Sequence, residues 1–315
     1  MSALKHVLKV VDLLEDPRVS GEAVRRFFEG EGLLGYMEMS VETVHGSRGS
    51  TDFITIRIPG SEGKSADGSA PTLGIVGRLG GVGARPAYVG LVSDADGAIV
   101  ALAAAYKISE MRKRSDVLPG DVVITTHVCP NAPTRPHHPA PMMDSPVNIF
   151  TLLKREVTPD MDAVLSVDAT KANWVVKHTG IAITPTVKEG WILKVSQDLI
   201  NIYIRVTGEP PVVVPITMQD ILPYSTPVYH INSMMQPWLY TKAPVVGVAI
   251  TARMVLPGSG TGITNVVALE QATRFVVEVA KDFTMGRAKF YDEKEWETIL
   301  RIHGPVDRIM RAGAP

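Results

Sequence analysis

Polar side chains stand just past several apolar runs of this sequence. Arg78 follows Leu73-Gly74-Ile75-Val76, and Asp94 opens the helical segment after it. His127 and Cys129 follow Asp121-Val122-Val123-Ile124, and Asp168 follows Ala163–Val167. Aspartate and histidine gathered from several strand ends hold divalent ions in hydrolases, where the ion polarises a carbonyl and lowers the pKa of bound water to about 7. The pattern points to Asp94, His127 and Asp168 as ligands of a divalent metal, zinc or manganese. The chemistry would be hydrolysis of the C–N bond of a small amide, peptide or lactam. Glu189 or His230 would carry the proton, and Arg78 or Arg85 would offer a forked donor to a substrate carboxylate.

Each of these residues also has a plainer use. Ser93, Asp94 and Asp96 sit where a helix begins, and carboxylates there meet unpaired N–H groups for roughly 0.3–1 kcal/mol each. Asp168, directly after a buried run, is costly unless paired, and Lys171 is the expected partner. The segment Thr125–Pro139 gathers three of the eight histidines and the only cysteine among prolines that stiffen it. In a second reading Cys129 is a nucleophile activated by His127 or His137, with Asp168 orienting the base. Cys129 can equally be a metal ligand or an inert buried thiol, and His137 and His138 read as surface groups bonded to backbone. The loop Gly77–Pro86 lacks the spacing of a P-loop or of the dinucleotide fingerprint, so its glycines serve close backbone approach. Pro257–Gly262 is either a second backbone-lined wall or a connection.

The elements that position these groups are legible from periodicity. Helical spacing covers Leu4–Leu14, Ser20–Gly30, Asp94–Arg114, 192–207 and Val266–Asp282, with a solvated helix between Tyr291 and Arg311 that buries Trp296, Ile299, Leu300 and Ile309. Ser20 caps the second of these. Alternation at 37–44 and 54–58 predicts half-buried strands, and apolar runs predict strands at 73–76, 121–124, 163–167 and 245–250, with further ones at 174–176 and 181–184 and an apolar run at 212–214. Strands alternating with helices predict a three-layer α/β/α fold around a mostly parallel or mixed sheet, formed by residues 1–315 as one domain. Sites in such sheets lie at the carboxyl ends of the strands.

Composition narrows the partners. The 315 residues are 45% hydrophobic and 21% charged, and Lys+Arg 32 against Asp+Glu 33 leaves a net charge of −1. No basic field attracts nucleic acid or anionic lipid, so the expected partner is a small-molecule substrate. The longest weakly polar stretch, Gly97–Tyr106, is about half of the roughly 20 residues that cross a bilayer. The start of the chain lacks a signal-peptide core. A cytoplasmic protein is expected. One cysteine excludes an internal disulfide framework, and a near-neutral chain with this apolar content can form a homo-oligomer.

Five stretches, Gly49–Phe53, Gly77–Pro86, Ser93–Ala98, Thr126–Pro133 and Tyr229–Ser233, resemble a bacterial family catalogued as a domain of unknown function. More distantly, the order of elements resembles the co-catalytic zinc exopeptidases and aminoacylases of phosphorylase/hydrolase-like fold. That resemblance implies a metal centre, with Asp94 similar to the bridging aspartate and Asp168 to the ligand of the third strand. Arg78 and Gly80 stand where His-x-Asp would be, His127 and Cys129 near the place of paired glutamates, and no histidine stands at Gly258–Gly262. The resemblance thus implies either a rearranged site using His127, Cys129 or His230, or a scaffold that binds a small ligand without catalysis.

Overall fold

The computed structural model describes residues 3–88, 90–138, 140–230, 233–256 and 264–306. The chain begins with α1 (Ala3–Glu15) and α2 (Gly21–Gly30), and Ser20 caps α2 by accepting from the Ala23 amide. An antiparallel hairpin, β1 (Glu38–Gly46) and β2 (Gly49–Ile58), follows. Then come β3 (Leu73–Gly77), α3 (Ala95–Lys113), β4 (Val122–Val128), β5 (Thr134–Arg135), β6 (Met142–Met143), α4 (Ile149–Glu156) and β7 (Ala163–Ala169). The last part holds β8 (Gly180–Ile183), β9 (Val187–Lys188), β10 (Trp191–Ile192), α5 (Gln197–Thr207), β11 (Val245–Thr251), α6 (Val266–Thr284) and α7 (Glu293–His303).

The main sheet runs β1-β2-β4-β3-β7-β11-β9-β10, with β8 also on β11. Its centre, β4-β3-β7-β11, is parallel, and the strands outside that centre pair antiparallel. The sheet is therefore mixed. Its central strands are apolar without alternation because both faces are covered. Ile75, Ile124, Leu165 and Val246 face the side packed with α1, α3 and α6, whereas Val76, Val123, Val164 and Val245 face Met234, Met235 and Trp238. Those last three belong to a 3-10 helix, Ser233–Tyr240. α3 is buried around nearly its whole circumference, which explains its lack of a polar stripe.

Gly97 brings the start of α3 onto the sheet. A Cβ there would lie 1.9 Å from the Arg78 carbonyl oxygen and 2.6 Å from that of Val167. The carboxyl ends of β3 and β7 and the first turn of α3 can meet only because that position has no side chain.

Several expectations need correction. Residues 174–176 are not a strand, and Trp174 and Val175 are exposed. The segment 212–214 contributes one isolated bridge, Ile183 to Val213, and the helix expected over 192–207 begins only at Gln197. Trp296 is buried in α7, while Ile299 and Leu300 are half-buried. The loop Pro257–Gly262 and the tail beyond Val306, Ile309 included, lie outside the described residues. Among the described residues no helix is long and apolar enough to cross a membrane.

Candidate functional site

The carboxyl ends of the parallel strands open on a cavity of about 790 Å³. Asp94, His127, Cys129, Asp168 and His230 all line it, so five of the eight expected site residues share one space. Arg78, Arg85 and Glu189 do not line it.

Asp168 ends β7 and is 2% exposed. The Ser233 hydroxyl donates to its Oδ2 at 3.0 Å. Burial pushes its pKa up to about 6, with the Arg78 charge and the Ser233 bond holding it back. Lys171, the partner expected for it, instead closes an ion pair with Asp96, fully buried in the first turn of α3. Burial likewise lifts Asp96 to about 6 against the pull of Lys171. Asp94 precedes α3, yet its side chain makes no capping bond. Burial raises its pKa well above the ordinary value, and the charges of Asp168 and Asp96 raise it further. The plain capping role is thus not what the carboxyl of Asp94 does.

His127 lies on β4 opposite Phe53, with the rings stacked at 6.5 Å. Its Nδ1 meets the Thr51 hydroxyl at 2.8 Å, and that hydroxyl also reaches the Val128 carbonyl at 3.2 Å. With the hydroxyl proton given to Val128, the Thr51 oxygen accepts from Nδ1–H, and Nε2 keeps an open lone pair. Nε2 is buried and has no hydrogen-bond partner among the described residues. Burial, then the Arg78 charge, pushes the imidazole down to about 3, so the ring is neutral. His230 tilts against Tyr224 at 5.7 Å.

The remaining expected residues make the following contacts. Arg78 is fully buried and pairs with Glu156 of α4 at 2.8 Å. Its charge also acts on Asp168 and Tyr224. The guanidinium, fully buried, does not line the cavity. Arg85 donates to the Glu15 carbonyl at 2.8 Å, tying its loop to the end of α1. Glu189 is ion-paired with Lys188 at 3.2 Å. Cys129 is 4% exposed, with Sγ 3.6 Å from the Ser50 carbonyl oxygen, and burial pushes its thiol up. A raised thiol pKa opposes the thiolate that a nucleophile requires. His137 and His138 are exposed at the cavity mouth, His137 facing the Ala140 carbonyl at 3.1 Å.

Sequence reasoning missed Tyr224, Ser233, Glu156 and Thr51. Thr51 lies in Gly49–Phe53, one of the stretches singled out, but only strand pairing brings it to His127. Tyr224 sits in an irregular segment without periodicity.

A divalent ion was expected on Asp94, His127 and Asp168. The donor types suit one, and the open Nε2 of His127 is a ligand atom in kind. Their placement does not form a metal centre: among the described residues no group of three His, Cys, Asp or Glu side chains could hold an ion. The chain also sets its own cations here, Lys171 against Asp96 and Arg78 within reach of Asp168.

A mixed α/β sheet carries this cavity at the carboxyl ends of its parallel strands. The chain superposes on the Legionella pneumophila LapA aminopeptidase with a TM-score of 0.52 at 12% identity, covering 92% of this chain and 73% of that one. It superposes on a tomato leucine aminopeptidase variant with a TM-score of 0.51 at 12% identity, covering 87% of this chain and 61% of that one. At such identity the likeness is one of fold. The chain belongs to the family described as Protein of unknown function (DUF1177), whose model matches residues 42–313. No curated protein sequence matches it.

Proposed function

We propose that the protein is a peptidase-like hydrolase acting on the C–N bond of a small amide or peptide, with Asp94 and Asp168 as its acid and base. One observation supports this reading. Two buried carboxyl groups line one cavity; burial raises both, but the Arg78 charge and the Ser233 bond hold Asp168 to about 6, whereas the Asp168 charge adds to the rise of Asp94 well above the ordinary value. Carboxyl pairs separated in this way divide the roles of acid and base between them.

Asp168, ionised above about pH 6, takes a proton from water as the water oxygen bonds to the substrate carbonyl carbon. Asp94 gives its proton to the amine nitrogen as the C–N bond breaks. The products are a carboxylic acid and an amine, and a proton passing from Asp168 to Asp94 through solvent restores the pair. His127, neutral with an open Nε2, accepts a hydrogen bond from the substrate or the attacking water.

A second reading keeps the divalent metal, zinc or manganese, that the resemblance to zinc exopeptidases implies. It is supported by the repulsion between Asp94 and Asp168, which a bound cation would relieve, and by the unpartnered Nε2 of His127. The deciding experiment is hydrolysis of a panel of dipeptides and aminoacyl amides by protein stripped with chelator and by protein reloaded with zinc or manganese. Turnover by the stripped protein, lost in Asp94→Asn and in Asp168→Asn, supports the carboxyl pair. Turnover only after reloading replaces it with the metal reading. Ligand-induced thermal stabilisation without turnover under either condition leaves a binding protein on a peptidase-like scaffold.

A further inference from the structure

The cavity is polarised from end to end. Asp94 and Asp168 form its buried inner end, and Arg135, His137 and His138 stand exposed at its mouth. Arg135 lies on β5, opposite Met142 of β6, in a two-stranded hairpin separate from the main sheet. The carboxylate its charge acts on, Asp144, is already ion-paired with Arg48. A guanidinium on the cavity wall, with the neighbouring carboxylate engaged elsewhere, is an anion receptor with fork geometry. An anionic group entering the inner end would meet the Asp168 carboxylate, whereas toward the exposed residues it meets Arg135 and two imidazoles, with the Asp144 carboxylate there engaged by Arg48.

Resting on the hydrolase reading above, we propose that Arg135 anchors the free carboxylate of the substrate's leaving half. The cavity then takes short peptides and acylated amino acids ending in a carboxylate, and the bond cut is the one next to that terminal residue. Met142, Met143 and Ile149, on the same wall, give the terminal side chain an apolar bed. This polarity is the reverse of the one that the word aminopeptidase denotes. The cut is the hydrolysis already described: the carbonyl carbon gains the water oxygen, and the departing amine gains a proton and carries away the carboxylate.

The test compares alanyl-leucine, N-acetyl-alanyl-leucine and alanyl-leucine amide as substrates of the full chain and of Arg135→Gln. The two carboxylate-ended peptides should be cut with similar kcat/KM, exceeding the amide by about 10- to 100-fold, the usual worth of a hydrogen bond to a charged group. In Arg135→Gln that ratio should collapse, mainly through KM. An amide cut as well as the acid, or a ratio that survives in Arg135→Gln, overturns the anchor and leaves the hydrolase reading standing. If none is cut, the hydrolase reading fails, and calorimetry with N-acetyl-alanyl-leucine decides the anchor. Binding weakened about tenfold or more in Arg135→Gln upholds it, and no binding to the unaltered chain overturns it.

Discussion

Lys171 closes its ion pair with Asp96 and leaves Asp94, two residues earlier on the same helix start, to share a cavity with Asp168. One carboxylate of the helix start is ion-paired, and burial with the charges of Asp168 and Asp96 raises the pKa of the other well above the ordinary value. A buried ammonium placed on Asp94 or Asp168 instead would have removed the difference in proton affinity on which an acid–base pair depends.

The buried pair Arg78–Glu156 should govern stability. Removing one partner of such a pair typically costs about 3–5 kcal/mol because the other charge is left buried alone, whereas replacing both with apolar groups is often close to neutral. Arg78→Met should lower stability by that amount in urea unfolding, and Arg78→Met combined with Glu156→Leu should recover most of it. Equal loss in the single and double variants would show that Arg78 acts through Asp168 and Tyr224 rather than through Glu156.

Stability should fall as pH rises through the range in which the buried acids ionise. For Asp96 and Asp168 the folded pKa is about 6 against an ordinary 3.8. Between those values the folded chain holds protons that the unfolded chain has released, so the stabilisation present at the acid end is lost by the time pH passes the folded value. His127, held neutral with its pKa down at about 3 against an ordinary 6.5, acts in the opposite sense over this range, so urea midpoints measured between about pH 4.5 and 7 should decline less than the acids alone dictate, and Asp168→Asn should remove part of that decline. A rise over the same interval contradicts the assignment.

Thr51 fixes which nitrogen of His127 faces the cavity. Thr51→Val keeps the shape and removes the partner of Nδ1, leaving a buried donor unsatisfied at a cost of about 1–3 kcal/mol. Turnover should fall roughly 10- to 100-fold, in the way that loss of an orienting partner disturbs an imidazole, while Thr51→Ser restores both. Unchanged turnover in Thr51→Val, with the expected loss of stability, would make the contact purely structural.

Much of the fold is visible in the sequence because its cues are local. Ser20 announces α2 and its cap, the continuous apolar runs announce the central strands, and Asp94 marks the start of α3. The short elements escape. The hairpin β5–β6 has two residues in each strand, and α4, eight residues long, follows a proline-rich loop, so neither offers a full period to read. The strand ends are legible, and Asp94, His127 and Asp168 at those ends line one cavity. Which cation neutralises which acid is decided by tertiary packing: Lys171 stands three residues from Asp168 in sequence but pairs with Asp96. Arg78 shows the same limit, since only the fold places Glu156 beside it.

The most direct measurement is the pH dependence of kcat/KM for a carboxylate-ended dipeptide, taken on chelator-treated protein and on its Asp168→Asn variant. The unaltered chain should show a rate that climbs with an apparent pKa of about 6, matching the ionisation of Asp168, and the variant should lose both the climb and at least about 99% of the rate, as removal of a catalytic base does. A climb that persists in Asp168→Asn, or a rate that appears only when zinc or manganese is restored, would contradict the carboxyl-pair account.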